Sequence, residues 1–155
     1  MTDGGTETAD LTPEGIGELT PVVAASRSSW RCVQSGDKAG WLALMADDVV
    51  LEDPIGEAIT NPDGNGVRGK AAVAAFFDAH IGPNQLRITC EEAFGSSSPT
   101  EVAYILILET TFPNGFSATV RGVFTYRVNG AGLITNLRGY WNMDAMQFAE
   151  PETPA

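Results

Sequence analysis

One carboxylate in this chain stands where its side chain meets apolar neighbours rather than water. In the stretch M-A-D-D-V-V-L-E-D-P-I-G from Met45 to Gly56, strand alternation sends Val49, Leu51 and Asp53 to one face and Val50 and Glu52 to the other. An ionised carboxylate among apolar side chains is costly unless it is paired or hydrogen-bonded, so such a group is neutralised, satisfied or kept for chemistry. Two readings follow for Asp53: a proton-transfer group at an apolar site, or a strand-end aspartate capping the turn that Pro54 begins.

The other reactive residue types are scattered. Cys32 and Cys90 are single and far apart, which fits free thiols with a packing role rather than a redox pair or a metal site. His80, the only histidine, falls near the end of a helix, where a cation suits the dipole, and reads as a surface or cap residue. Without a second histidine it makes a poor metal ligand, so neither a metal nor a cofactor is expected. Arg121 and Arg138 fall opposite the apolar face of their strands and read as solvent or dimer surface. Asp144 is expected at the rim of the fold.

The elements that must position these groups are legible from punctuation and periodicity. Pro21 opens a helix with Val22, Val23, Ser26, Trp30 and Val33 at helical spacing, and Gly36 ends it. Asp37 caps a short second helix with Trp41, Leu42, Leu44 and Met45 on its buried side. After the strand bearing Asp53, the Ile59–Val67 segment contains N-P-D-G-N-G and reads as an exposed loop. Gly69 opens a third helix with Val73, Phe76, Phe77, His80 and Ile81 along one stripe, closed by Gly82 and Pro83.

Four strands are expected after it: Leu86–Phe94, Val102–Phe112, Phe116–Val128 and Leu133–Met143. In the third, Phe116, Ala118, Val120, Gly122, Phe124, Tyr126 and Val128 share one face. In the fourth, Leu133, Leu137, Trp141 and Met143 share a face, with Asn136, Arg138, Tyr140 and Asn142 opposite. Helices first and a curled antiparallel meander after them make an α+β fold.

With 155 residues, one domain is expected. The net charge of −11 lies largely at the ends, and no basic cluster offsets it, so neither nucleic acid nor a membrane is an expected partner. The start lacks the basic and apolar regions of a secretory signal and no run is long enough to span a bilayer, so a cytoplasmic protein is expected. Residues 1–17 and 147–155 read as disordered tails flanking a folded domain over 18–146.

The strings A-D-D-V-V-L-E-D-P-I-G, G-K-A-A-V-A-A-F-F, V-F-T-Y-R-V-N-G-A-G-L-I and G-Y-W together resemble the Δ5-3-ketosteroid isomerases over residues 21–144. The wording is most similar to actinobacterial steroid isomerase-like proteins. The resemblance implies the cone-shaped, cystatin-like fold of the nuclear transport factor 2-like superfamily, three helices on a curved sheet, and a homodimer formed through the open sheet face. It places the family's general base on Asp53, which would take a proton from the carbon beside a ketone and return it further along the conjugated system.

The family's two donors to the dienolate oxygen, a tyrosine and a protonated aspartic acid, fall on Ser29 and Phe124, and two supporting tyrosines fall on Met45 and Phe77. Losing one such donor typically costs ~10²–10³ in rate. Tyr126 is the substitute placed on the same face as Phe124, with Tyr104, Ser29 and Asn142 as further polar groups. Ser29, Trp30, Phe77, Tyr104, Leu106, Val120, Phe124, Tyr126 and Trp141 are expected around a small apolar, steroid-like ligand. A filled aromatic core is the alternative. The expected function is steroid isomerisation or non-catalytic steroid binding, with polyketide cyclisation or epoxide hydrolysis, known in sister branches, behind them.

Overall fold

The computed structural model describes residues 19–152. The expected amino-terminal tail, residues 1–17, lies outside them. Helix α1 runs Pro21–Ser35: the Thr20 hydroxyl accepts from the Val23 amide, and Gly36, at φ 73°, turns its N–H back onto the Cys32 and Val33 carbonyls. Helix α2, Lys38–Ala43, is capped by the Asp37 carboxylate, which accepts from Gly40 N at 2.9 Å. Strand β1, Met45–Glu52, follows, then the short β2, Val67–Arg68, and helix α3, Lys70–Phe76, which widens into a π turn over Phe77–Ile81.

The long strands are β3 (Gln85–Gly95), β4 (Glu101–Thr111), β5 (Ser117–Val128) and β6 (Ile134–Tyr140), with β7 (Gln147–Ala149) after a 3₁₀ turn at Met143–Ala145. They form one sheet in the order β2-β1-β6-β5-β4-β3, with β7 added to β5. Neighbours are antiparallel except β1 and β6, which run parallel. This is the expected α+β cone, three helices packed on a curved mixed sheet. Burial along β5 alternates from Ala118 to Val128, and its inner face meets α1 across Trp30, Tyr104, Phe124 and Tyr126, each at most 4% exposed.

Four local expectations are corrected. Ile134, not Leu133, is buried at the start of β6, because a register shift between Arg127 and Val128 turns the strand over. Met143 does not continue the inner face of β6: the strand ends at Tyr140 and the 3₁₀ turn redirects the chain. Residues 147–149, read as part of a tail, pair with Ser117–Thr119, a stretch of β5 that β6 does not reach. Phe116 is 42% exposed, because it precedes the first paired residue of β5.

Outside the sheet, ion pairs bind the outer face: Arg121 to Glu91 at 2.6 Å, Arg138 to Glu52 at 2.9 Å and Arg127 to Glu101 at 3.6 Å. Both cysteines are free thiols. Among the described residues no helix is long and apolar enough to cross a membrane, and no cluster of potential metal ligands occurs.

Candidate functional site

Asp53 leaves the end of β1 where that strand is pinned on both sides, by β6 at Val50–Glu52 and by β2 at Val50 and Leu51. The loop beyond it is tied down as well. Ile55 N donates to Gly139 O at 3.0 Å, and the Thr60 hydroxyl donates to the Asp53 carbonyl. The Asn61 amide donates to Pro54 O while its Oδ1 accepts from Gly66 N, both at 2.9 Å. The expected exposed loop is therefore corrected at two residues: Asn61 is 1% exposed, and Thr60 turns toward the interior. Its turn-forming residues hide this, because a buried Asn that satisfies two backbone groups looks the same in sequence as an exposed one.

Within that frame, Asp53 Oδ1 accepts a hydrogen bond from Trp141 Nε1 at 2.8 Å. Gly139 stands beside it: a Cβ there would lie 2.7 Å from the Phe124 ring and 3.2 Å from Asp53 Oδ1, so the close approach of β6 to the carboxylate requires glycine. Burial raises the carboxyl pKa from 3.8 to about 6, and the Trp141 bond works against that rise. Asp53 is thus held close to neutral pH in its titration, with one oxygen fixed by an indole.

The carboxylate faces a cavity of about 130 Å³, some tenfold what one water molecule needs. The wall carries Ser29, Trp30, Leu106, Val120, Phe124, Tyr126 and Trp141 from the expected set. Phe77 and Tyr104 stand behind the wall. Phe77 packs on Trp41 with ring centroids 5.5 Å apart, and Tyr104 packs edge-on against Trp30 at 4.8 Å. Asp53 is the sole carboxylate among the described residues lining the cavity.

Three indoles organise the polar groups of this wall. Trp30 Nε1 donates to the Tyr126 hydroxyl at 3.0 Å, Trp41 Nε1 donates to Ser29 Oγ at 3.0 Å, and Trp141 holds Asp53. The Tyr126 oxygen therefore serves as an acceptor, while its proton has no acceptor among the described residues. Burial drives the Tyr126 pKa far above its ordinary 10, with the Asp53 charge adding to the rise. It stays a protonated donor across the working pH range. Tyr104 is also raised by burial, to about 12.

Sequence reasoning missed the wall's outer members. His80, read as a surface or cap residue, lines the cavity together with Phe76, their rings 4.9 Å apart, and burial lowers its pKa. Met146 and Thr110 also line the cavity. The i, i+4 spacing of Phe76 and His80 was visible, but the helical stripe also holds Phe77 and Ile81, and spacing alone does not say which pair faces the hollow.

Residues 27–137 match the SnoaL-like domain family. A Δ5-3-ketosteroid isomerase from Mycobacterium sp. is 80% identical, with a TM-score of 0.84 over 84% of this chain and 100% of its own. Rv0760c from Mycobacterium tuberculosis, solved in complex with estradiol-17β-hemisuccinate, is 67% identical, with a TM-score of 0.81 over 83% of this chain and 99% of its own. A computationally designed 17-OHP binder is 63% identical, with a TM-score of 0.83 over 84% of this chain and 99% of its own. No curated protein sequence matches.

Proposed function

Since the chain belongs to the SnoaL-like family, in its Δ5-3-ketosteroid isomerase-like branch, we propose that this steroid isomerase-like, ligand-binding protein takes a 3-ketosteroid into the cavity and moves a proton on it with Asp53. The observation that carries this reading is the Asp53 carboxylate at an apolar wall, fixed through one oxygen by Trp141, where burial pushes its pKa up to about 6. Above that pH it is ionised and basic enough to accept a carbon-bound proton once the neighbouring ketone is polarised. The C–H bond breaks, the electron pair passes to the ketone oxygen as a dienolate, and the same proton returns from Asp53 to a carbon further along the conjugated system. Tyr126 donates to the developing oxyanion, its own oxygen steadied by Trp30.

Ser29 and Phe124 stand where the resemblance puts the family's donors, and neither is a strong acid. That substitution favours slow turnover, and it favours a second reading in which Asp53 and Tyr126 merely hydrogen-bond a bound steroid. Epoxide opening or polyketide cyclisation would call for an acid partner to Asp53, and the cavity wall supplies no second carboxylate among the described residues. Incubation with 5-androstene-3,17-dione, following absorbance of the conjugated enone, separates the first two. Turnover lost in Asp53→Asn supports the isomerase. Tight binding with no turnover above buffer supports the binder, and neither turnover nor binding removes both.

The outer sheet face, with Phe94, Val123 and Tyr140 more than 40% exposed beside Arg127 and Arg138, is the surface through which we expect a homodimer. Light scattering at the monomer mass of 16.4 kDa would refute it.

A further inference from the structure

The cavity has a second polar region that proton transfer leaves unused. Register across the sheet separates its two ends. Tyr104, Phe124 and Gly139 lie opposite one another on β4, β5 and β6, and Gly139 brings this row against Asp53. Leu86, Thr110 and Ala118 form another row on β3, β4 and β5, near the turn that joins β4 to β5. His80 belongs with this second row. The π turn passes through Gly82–Asn84 straight into β3, and Asn84 Nδ2 donates to the His80 carbonyl at 2.9 Å.

The His80 ring lies against Phe76 in the cavity wall, and its two nitrogens have no hydrogen-bond partner among the described residues. Burial keeps the ring neutral near pH 7, so it presents one N–H and one lone pair. Ile81, Leu86, Leu108 and Met146 line the same cavity with apolar side chains, and Thr110 brings a hydroxyl to the row it forms with Leu86 and Ala118. Few polar groups set into an apolar wall are what orients a ligand.

The geometry points to His80 as the specificity-determining contact for an oxygen function at the end of the ligand remote from Asp53 and Tyr126. This rests on the steroid-binding reading above. It makes the two ends of the cavity distinct: Asp53 and Tyr126 engage the reacting ketone, and His80 selects among ligands by their far terminus and fixes which end enters first.

The test compares 17β-estradiol with its 17-deoxy analogue, binding being read by quenching of tryptophan fluorescence, in the wild type, His80→Phe and His80→Gln. The wild type is expected to prefer estradiol by about three- to tenfold, the worth of one hydrogen bond. His80→Phe, which keeps the ring against Phe76, should lose the preference while holding its affinity for the deoxy ligand, and His80→Gln should retain it. The inference is overturned if the wild type binds both ligands equally, whatever the variants do, or if His80→Phe keeps the preference. A wild type that binds neither steroid overturns the proposed function and this inference together, which tells the two failures apart.

Discussion

Replacing Asp53 by asparagine should make the protein more stable at pH 8 and leave it nearly unchanged at pH 4. Asparagine keeps an oxygen for Trp141 Nε1, so the substitution removes a charge with little change in shape. In the folded protein burial lifts the carboxyl from 3.8 to about 6, which corresponds to on the order of 3 kcal/mol between the two protonation states. Because the folded pKa lies above the unfolded one, the wild type is most favoured below about pH 4, where Asp53 is protonated in both states. Stability relative to the variant falls between about pH 4 and about 6, because the unfolded chain ionises while the desolvated native carboxyl holds its proton, and levels off above that range. Residual solvent contact at Asp53 makes the full figure an upper bound. Urea unfolding of both proteins at intervals from pH 4 to pH 8 reads the difference directly. A gap that stays flat across this range would mean a solvated carboxylate of ordinary pKa. A gap that moves in the wild type's favour with rising pH would mean that the Trp141 hydrogen bond outweighs burial, and either result refutes the reasoning.

Tyr126→Phe should lower kcat on 5-androstene-3,17-dione by ~10²–10³ with a smaller change in KM, because its hydroxyl is needed most when the oxyanion develops; an unchanged kcat would move the electrophile elsewhere. Trp141→Phe removes the one contact that lowers the Asp53 pKa, so the acid limb of the kcat/KM profile should shift above its wild-type position near pH 6; a shift to lower pH would contradict the assigned causes. Gly139→Ala puts a methyl group against the Phe124 ring and Asp53 Oδ1 and should destabilise the fold by ~1–3 kcal/mol in thermal or urea unfolding, with weaker steroid binding.

Much of the scaffold was legible because its residues have one physical use. Pro21, Gly36 and Asp37 mark helix ends through a fixed φ, a left-handed turn and a side-chain cap, and each does so here. The alternation from Ala118 to Val128 predicted an inner face because a sheet packed on one side leaves no other arrangement. The same alternation set Asp53 apart from Glu52, whose carboxylate pairs with Arg138 on the outside. What stayed hidden depends on partners distant in sequence. The three residues of β7 form a strand because β5 offers an unpaired edge, and Ile134 replaces Leu133 inside because of a bulge. Asn61 and Met146 carry no local signal of facing inward, and the stripe that holds His80 does not say which of its members reach the cavity. Phe77 and Tyr104 were grouped with the wall because periodicity distinguishes the two sides of an element but not the depth of a layer.

The most direct test is a crystal structure with a 3-ketosteroid bound. The account predicts the ketone oxygen within hydrogen-bonding distance of the Tyr126 hydroxyl and the free oxygen of Asp53 against an adjacent ring carbon. A steroid seated in the cavity with its ketone away from both residues, or bound outside the cavity altogether, would contradict it.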